Sequence, residues 1–229
     1  MRLSELFYSI QGEGKLTGVP SVFVRVSGCN LRCVWCDTPY ASWNPEGIDE
    51  TVAAIVARVA EFPGRHVVIT GGEPMIMPDL AELCETLKGH NYHITIETAG
   101  TIFSPLKIDL ASISPKLSNS TPKLREEGRF ARVHEAHRLN VKVIQQFVDS
   151  SPGFQLKFVV CEPGDMPEIQ DLLGQLNGWS PDDVLLMPEG TDQKTLDSRA
   201  AWIGEICKRQ GYRFCPRLHV MLYGNKRGT

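Results

Sequence analysis

Pro20-Ser21-Val22-Phe23-Val24-Arg25-Val26-Ser27-Gly28-Cys29-Asn30-Leu31-Arg32-Cys33-Val34-Trp35-Cys36 is the stretch on which the fold reading turns. Its first half is rich in β-branched residues and reads as a strand over Pro20–Ser27. Its second half packs Cys29, Cys33 and Cys36 into a C-x3-C-x2-C loop at that strand's C-terminal end. The period of two puts Val22, Val24 and Val26 on one face, and Phe23, Arg25 and Ser27 on the other. A parallel strand covered on both faces reads as continuously apolar; this one has an apolar face and a face carrying a cation.

Later strands repeat the pattern. In Val67–Thr70, Val67 and Ile69 oppose Thr70. In Tyr92–Glu97, the apolar Tyr92, Ile94 and Ile96 oppose His93, Thr95 and Glu97. In Gln155–Val160, Leu156, Phe158 and Val160 oppose Lys157. Apolar faces against helices and polar faces toward one lumen would bring Arg25, Thr70, Glu97 and Lys157 together at a barrel rim. The plainer reading is that each residue reaches solvent at a strand end. Four in succession favour the shared lumen.

Between these strands lie segments of helical period: Ile48–Phe62, Asp79–Lys88, Val141–Val148, Met166–Leu176 and Leu196–Gln210. Further strands are expected at His66–Thr70, Lys107–Ile113, Val184–Met187 and Arg217–Leu222, and a polar loop at Lys116–Arg129. The alternation implies parallel βα units. About six units fit, fewer than the eight of a closed barrel, so the expected fold is α/β, a partial (open) βα barrel. A doubly wound open sheet is the alternative.

Composition bounds the rest. The chain has 229 residues with 42% hydrophobic and 22% charged, and no linker divides it, so one domain over 1–229 is expected. A formal charge of −3 gives no reason to expect nucleic acid as a partner. No stretch is apolar enough to span a membrane and no leader is visible, which makes a cytoplasmic protein the expectation. Seven cysteines, an odd number, argue against a disulfide framework. Cys84, Cys161, Cys207 and Cys215 are isolated. A structural zinc would want a fourth ligand from a second pair, and none exists. Three thiolates instead suit a [4Fe–4S] cluster with one open iron, against the bland alternative of three inert buried cysteines.

C-x3-C-x2-C with Trp35 before the last cysteine, together with Gly71-Gly72-Glu73-Pro74 at the end of the next strand, resembles the radical S-adenosylmethionine (SAM) superfamily. Within it, Ser9-Ile10-Gln11-Gly12-Glu13-Gly14 narrows the resemblance to the 7-carboxy-7-deazaguanine synthases. Arg25, Asp37-Thr38, Glu97-Thr98, Ser114-Pro115-Lys116, Lys157-Phe158-Val159, Met187-Pro188-Glu189-Gly190, Arg217-Leu218-His219 and Tyr223-Gly224-Asn225 extend it along nearly the whole chain.

That resemblance implies a carbon–nitrogen lyase that contracts 6-carboxy-5,6,7,8-tetrahydropterin to a deazaguanine on the way to queuosine, with loss of ammonia. It implies that Cys29, Cys33 and Cys36 hold the cluster. Gly72, Glu97, Ser114, Pro115, Lys116, Met187, Pro188, Glu189 and Gly190 would bind SAM. Ile10, Gln11, Gly12, Arg25, Thr70 and Thr229 would meet the pterin, and Thr38 a Mg²⁺ ion. It also implies a homodimer and an electron donor such as flavodoxin or ferredoxin.

Some residues stay open at this stage. Glu97 could touch SAM or substrate, or form an ion pair with Lys157 or Arg25. Thr229 could reach back to the site or lie in a frayed tail. Glu73 reads as structural, and His134 and His137 as helix-surface residues. The nearest rival is an activase installing a glycyl radical on a partner protein; another is a zinc-binding module.

Overall fold

The computed structural model describes residues 1–229. The first strand, β1 (Arg2–Ile10), was not expected from the sequence. It pairs antiparallel with β2 (Pro20–Val26), placing Phe7 opposite Phe23 and Glu5 opposite Arg25. The two rings stack at 4.9 Å. From β2 the sheet grows in parallel through β4 (His66–Gly71), β5 (His93–Thr98), β6 (Leu110–Ile113), β7 (Phe154–Val160), β8 (Val184–Pro188) and the two-residue β9 (Arg213–Phe214). The two-residue β3 (Ile48–Asp49) forms the far edge beyond β1.

The order β3-β1-β2-β4-β5-β6-β7-β8-β9 never reverses within its parallel part. A doubly wound sheet requires a reversal, so the partial-barrel expectation holds. The edges β3 and β9 are not paired, and the barrel stays open.

The helices cover one face of this sheet. On α1 (Val52–Ala60), Val52, Ile55, Val56 and Val59 are buried as one stripe. The helix starts later than its period suggests because Thr51 caps it, its hydroxyl accepting from the Ala54 N–H at 3.2 Å. The residues before it, Ile48–Asp49, form β3 instead. On α2 (Leu80–Gly89), Leu80, Leu83, Cys84 and Leu87 face inward. Past α3 (Ala131–His137), α4 (Val141–Ser150) and α5 (Met166–Leu173) follow the same rule. Asp192 caps α6 (Gln193–Gln210), which Gly211 ends at φ 72°.

The apolar strand faces read from the sequence are buried, and all but Val26 join this core: Val22, Val24, Val67, Ile69, Ile94, Ile96, Leu156, Phe158 and Val160 are fully buried in one cluster. The expected strand over Lys107–Ile113 is shorter, because Asp109 turns aside to accept from the Ile94 N–H at 2.7 Å. The expected strand at Arg217–Leu222 is a helix, α7 (Leu218–Tyr223). The Leu218 N–H donates to the Gly12 carbonyl, which turns the chain across the barrel mouth. Lys116–Arg129 is a loop, as expected, with short 3-10 turns at Ser118–Ser120 and Arg125–Gly128.

Candidate active site

The uncovered sheet face closes around a cavity of about 540 Å³, within the usual range for small-molecule sites. Strand register explains its polar lining. Arg25 pairs with Thr70, and Ile69 with Ile96, so that Thr70 and Glu97 sit side by side one step beyond. Thr70 donates to Glu97 Oε2 at 2.9 Å and Gln11 Nε2 to Glu97 Oε1 at 3.3 Å. Arg25, Thr70, Glu97 and Lys157 all line the cavity. The shared-lumen reading of the four strands is therefore the one the fold adopts.

Glu97 makes neither of its expected ion pairs. Lys157 is taken by Glu13 and Arg25 by Glu5, both from the N-terminal segment whose strand was not foreseen. Arg25 donates through Nε to Glu5 at 2.9 Å, while its two terminal amines have no protein acceptor. A guanidinium held by one edge with its fork free is arranged to take a carboxylate in two parallel bonds.

The cysteine loop forms another part of the wall. Cys29, Cys33 and Cys36 all line the cavity. Backbone and side chains fix the loop: Trp43 Nε1 donates to the Cys33 carbonyl at 3.0 Å, and Arg32 Nη1 to the Cys29 carbonyl at 2.7 Å. Burial pushes the Cys29 thiol up to about 11 and the Cys33 thiol up to about 12. Both therefore hold their protons unless a metal displaces them. Three thiols along one cavity wall fit a [4Fe–4S] cluster, which cysteine thiolates hold and whose fourth iron stays open.

Gly72 lies beside this wall, and a Cβ there would run into the carbonyl oxygens of Gly28 and Ala41. Only bare backbone fits just past β4, which packs the turn against the main chain of Gly28 and Ala41 while Gly72 itself lines the cavity. Glu73, fully buried, accepts from Met75 N, Thr98 Oγ1 and Ala99 N at 3.1, 2.8 and 2.8 Å. It ties the Gly-Gly turn to the end of β5 and is structural, as expected. Donor set and cradle together fit a cluster with a ligand bound next to it.

The remaining predicted residues mostly converge. Ser114, Lys116, Met187, Pro188, Glu189 and Gly190 line the cavity on the side of β6 and β8; Ile10, Gln11, Gly12, Thr38 and Thr229 line it elsewhere. Pro115 is the exception, buried behind the wall. Lys116 donates to Ser114 Oγ at 2.8 Å and lies 5.7 Å from the Trp35 ring.

Glu13, Asp37, Arg217 and His219 carry the resemblance but had no role assigned from the sequence. Arg217, 9% exposed, donates to Glu13 Oε1 at 3.0 Å, to the Gly190 carbonyl at 2.6 Å and to Asp37. It joins the Gln11–Gly14 loop, the cysteine loop and the loop after β8. Burial alone would raise the Glu13 carboxyl, but the charges of Lys157 and Arg217 outweigh it and hold that carboxyl far below the usual carboxylate range. Burial would also depress Lys157, and Glu13 reverses that, keeping the ammonium charged. Gly12 has no room for a Cβ beside the His219 ring. The sequence marked these residues through the resemblance and the glycine spacing of residues 11–14, but not the bonds between them.

His134 corrects its expected place. It is buried, not on the helix surface: the Arg32 N–H donates to its Nδ1 at 3.1 Å, and Ser120 Oγ lies 2.9 Å from Nε2. An acceptor at Nδ1 places the proton on Nε2. The histidine pins the cysteine loop to the loop over Lys116–Arg129, whose Ser120 carbonyl also accepts from the Val34 N–H. His137 is exposed and binds only the Val133 carbonyl within its own helix.

Residues 23–154 match the family model described as the radical SAM superfamily. The chain is 44% identical to the 7-carboxy-7-deazaguanine synthase of Rhodopirellula baltica, covering 99% of this chain and 88% of that one. It is 46% identical to that of Halobacterium salinarum, covering 97% and 90%. The crystal structure of QueE from Escherichia coli superposes with a TM-score of 0.69 at 25% identity, over 95% of this chain and 94% of the other.

Proposed function

From the premise that the chain belongs to the 7-carboxy-7-deazaguanine synthase family of the radical SAM superfamily, we propose how its own residues divide the work. It is a radical SAM lyase of queuosine biosynthesis that uses a [4Fe–4S] cluster and SAM, and a ring contraction is its reaction. The observation that carries the assignment of parts is the lumen itself: a free guanidinium fork, a Gln11–Glu97–Thr70 hydrogen-bonded group and three thiols line one cavity. A glycyl-radical activase has no use for such a small-molecule pocket, and that reading is not favoured.

When bound, cluster and SAM supply a 5′-deoxyadenosyl radical that takes hydrogen from the substrate. In our reading Cys29, Cys33 and Cys36 hold the cluster. Bare backbone at Gly72, with Ser114, Lys116 and Met187–Gly190, holds SAM. Pro115 acts from behind by fixing that turn.

Arg25 grips the carboxylate of 6-carboxy-5,6,7,8-tetrahydropterin. Gln11, Thr70 and Glu97 present two hydroxyl or amide groups and a carboxylate to the pterin's edge, with Ile10 and Gly12 beside them. We assign Glu97 to this group rather than to SAM, supported by the hydrogen bonds that Gln11 and Thr70 donate to it. The contraction releases one ammonia and leaves 7-carboxy-7-deazaguanine, which balances the atoms of substrate and product.

Thr38 lines the same cavity and offers a hard oxygen. Its neighbour Asp37 is already taken by Arg217. A Mg²⁺ ion there would keep few protein ligands and complete its shell from water and substrate, as that ion prefers. The protein's contribution is orientation and exclusion of water from a radical. We further assign residues 1–229 to one domain acting as a homodimer, reduced by a flavodoxin or ferredoxin.

Arg25→Ala tests the division. It should keep the cluster and the uncoupled cleavage of SAM while the KM for the pterin rises at least tenfold. Loss of cluster assembly in this variant would make Arg25 a folding residue and sink the assignment.

A further inference from the structure

The segment after α7 does not leave the molecule. Residues Asn225 to Thr229 all line the cavity mouth, and one side chain anchors them. Arg227 lies 4.1 Å over the Tyr40 ring and donates through Nε to Glu5 Oε1 at 2.6 Å. Its Nη1 reaches Glu46 at 2.9 Å. Glu46 is 58% exposed, a rim partner of small energetic weight. Glu5 is different. Its side chain is 10% exposed, and its second oxygen accepts from Arg25 Nε at 2.9 Å and from the Tyr40 hydroxyl at 3.0 Å.

One carboxylate therefore gathers three things: the guanidinium that faces the pterin, a tyrosine two residues past Thr38, and the tail. Chain ends fray unless tied down, and this tail carries no other ion pair. The strand that presents Glu5 is the one whose register sets it opposite Arg25.

We propose that Glu5 is a positioning residue, a latch that holds the C-terminal tail over the pterin pocket through Arg227 while fixing the fork of Arg25 with its other oxygen. This rests on the pterin-side reading of Arg25. Glu5 itself lies behind Arg25, outside the cavity lining. Losing it frees the tail and loosens Arg25 together, so substrate binding and the shielding of the radical from water fail in step.

The test uses the full chain with Glu5→Gln, Arg227→Gln and, as a control, Glu46→Gln. The first readout is trypsin cleavage after Lys226 in substrate-free protein, followed by intact mass. The second is KM against kcat for the pterin, with the ratio of 5′-deoxyadenosine to product. Glu5→Gln and Arg227→Gln should speed the cleavage about tenfold and raise KM about tenfold, equivalent to ~1.4 kcal/mol, with a smaller change in kcat. The ratio of 5′-deoxyadenosine to product should rise with them. Glu46→Gln should match wild type in both. Added salt should speed cleavage of the wild type and leave Arg227→Gln unchanged, because the latch is a partly exposed ion pair.

Unchanged cleavage in Glu5→Gln and Arg227→Gln would overturn the latch. Faster cleavage with unaltered KM would overturn its link to substrate. Should Glu5→Gln fail to fold, Arg227→Gln still decides both points, since Arg227 sits in an exposed tail. If Arg25→Ala leaves KM untouched while Arg227→Gln frees the tail, the reading of Arg25 fails and the latch stands.

Discussion

Replacing Arg217 by Met removes the one cation that bonds three active-site loops at once. The cost can be worked from its partners. Glu13 keeps Lys157 and stays compensated. Asp37, whose side chain is 33% exposed, loses its only cation but regains some water. The Gly190 carbonyl loses the donor at 2.6 Å. Breaking a buried pair costs about 3–5 kcal/mol, and an orphaned acceptor about 1–3 kcal/mol. The surviving Lys157 contact and the partial exposure of Asp37 argue for the low end, about 3 kcal/mol. At a urea slope of about 3 kcal/mol/M for a chain of this size, the unfolding midpoint falls by about 1 M. Arg217→Lys should recover part of this, because a point charge cannot meet three acceptors in a fan. Arg217→Met with Asp37→Asn should lose less than the sum of the single changes. Urea titration followed by tryptophan fluorescence reads the wild type and four variants, the single Asp37→Asn among them. A midpoint for Arg217→Met equal to wild type would refute the claim that this guanidinium holds the loops together.

Three further outcomes follow. Cys33→Ala should lose acid-labile sulfide and turnover together, measured by iron and sulfide analysis after anaerobic reconstitution; full turnover would remove Cys33 from the ligand set. Thr38→Ala should reduce the magnesium dependence of product yield while leaving cluster content unchanged, read by assays across a Mg²⁺ series. His66 is buried and bonded to Ser21 and Thr95, both at 2.7 Å. Burial, then the neighbouring His93, lowers it to about 4 from an ordinary value near 6.5. The unfolded chain therefore takes up a proton first as pH falls. This histidine's contribution to stability is complete above pH ~6.5, declines toward pH ~4 and levels off below. His66→Gln should flatten that part of the urea-midpoint profile, and an unchanged profile would contradict the assignment.

The strand faces were legible because a period of two needs only local sequence. Arg25, Thr70, Glu97 and Lys157 converge as their alternation requires. The cysteine loop was legible for the same reason, its spacing being local. What binds these side chains was not. Lys157 finds Glu13 across 144 positions, and Arg217 finds Asp37 across 180. Which acid meets which base depends on β1, whose antiparallel pairing with β2 was missed. The ion pair left open for Glu97 does not form, because Glu5 on β1 takes Arg25 and Glu13 just past β1 takes Lys157.

The six residues Arg217–Leu222 illustrate a second limit. A short apolar run has no decisive period. With β9 at the sheet edge and Leu218 bonded to Gly12, the segment turns into a helix that leaves Met221 and Leu222 exposed. His134 illustrates a third. A histidine pair at i and i+3 looks like two surface residues, and only the fold shows that one of them takes a backbone N–H from between Cys29 and Cys33.

The most direct measurement is mass spectrometry of the anaerobic reaction of reconstituted protein with SAM, reductant, magnesium and 6-carboxy-5,6,7,8-tetrahydropterin. The expected product is lighter than the pterin by one ammonia, with the spectrum of a deazaguanine. Cleavage of SAM to 5′-deoxyadenosine with the pterin mass unchanged would contradict it.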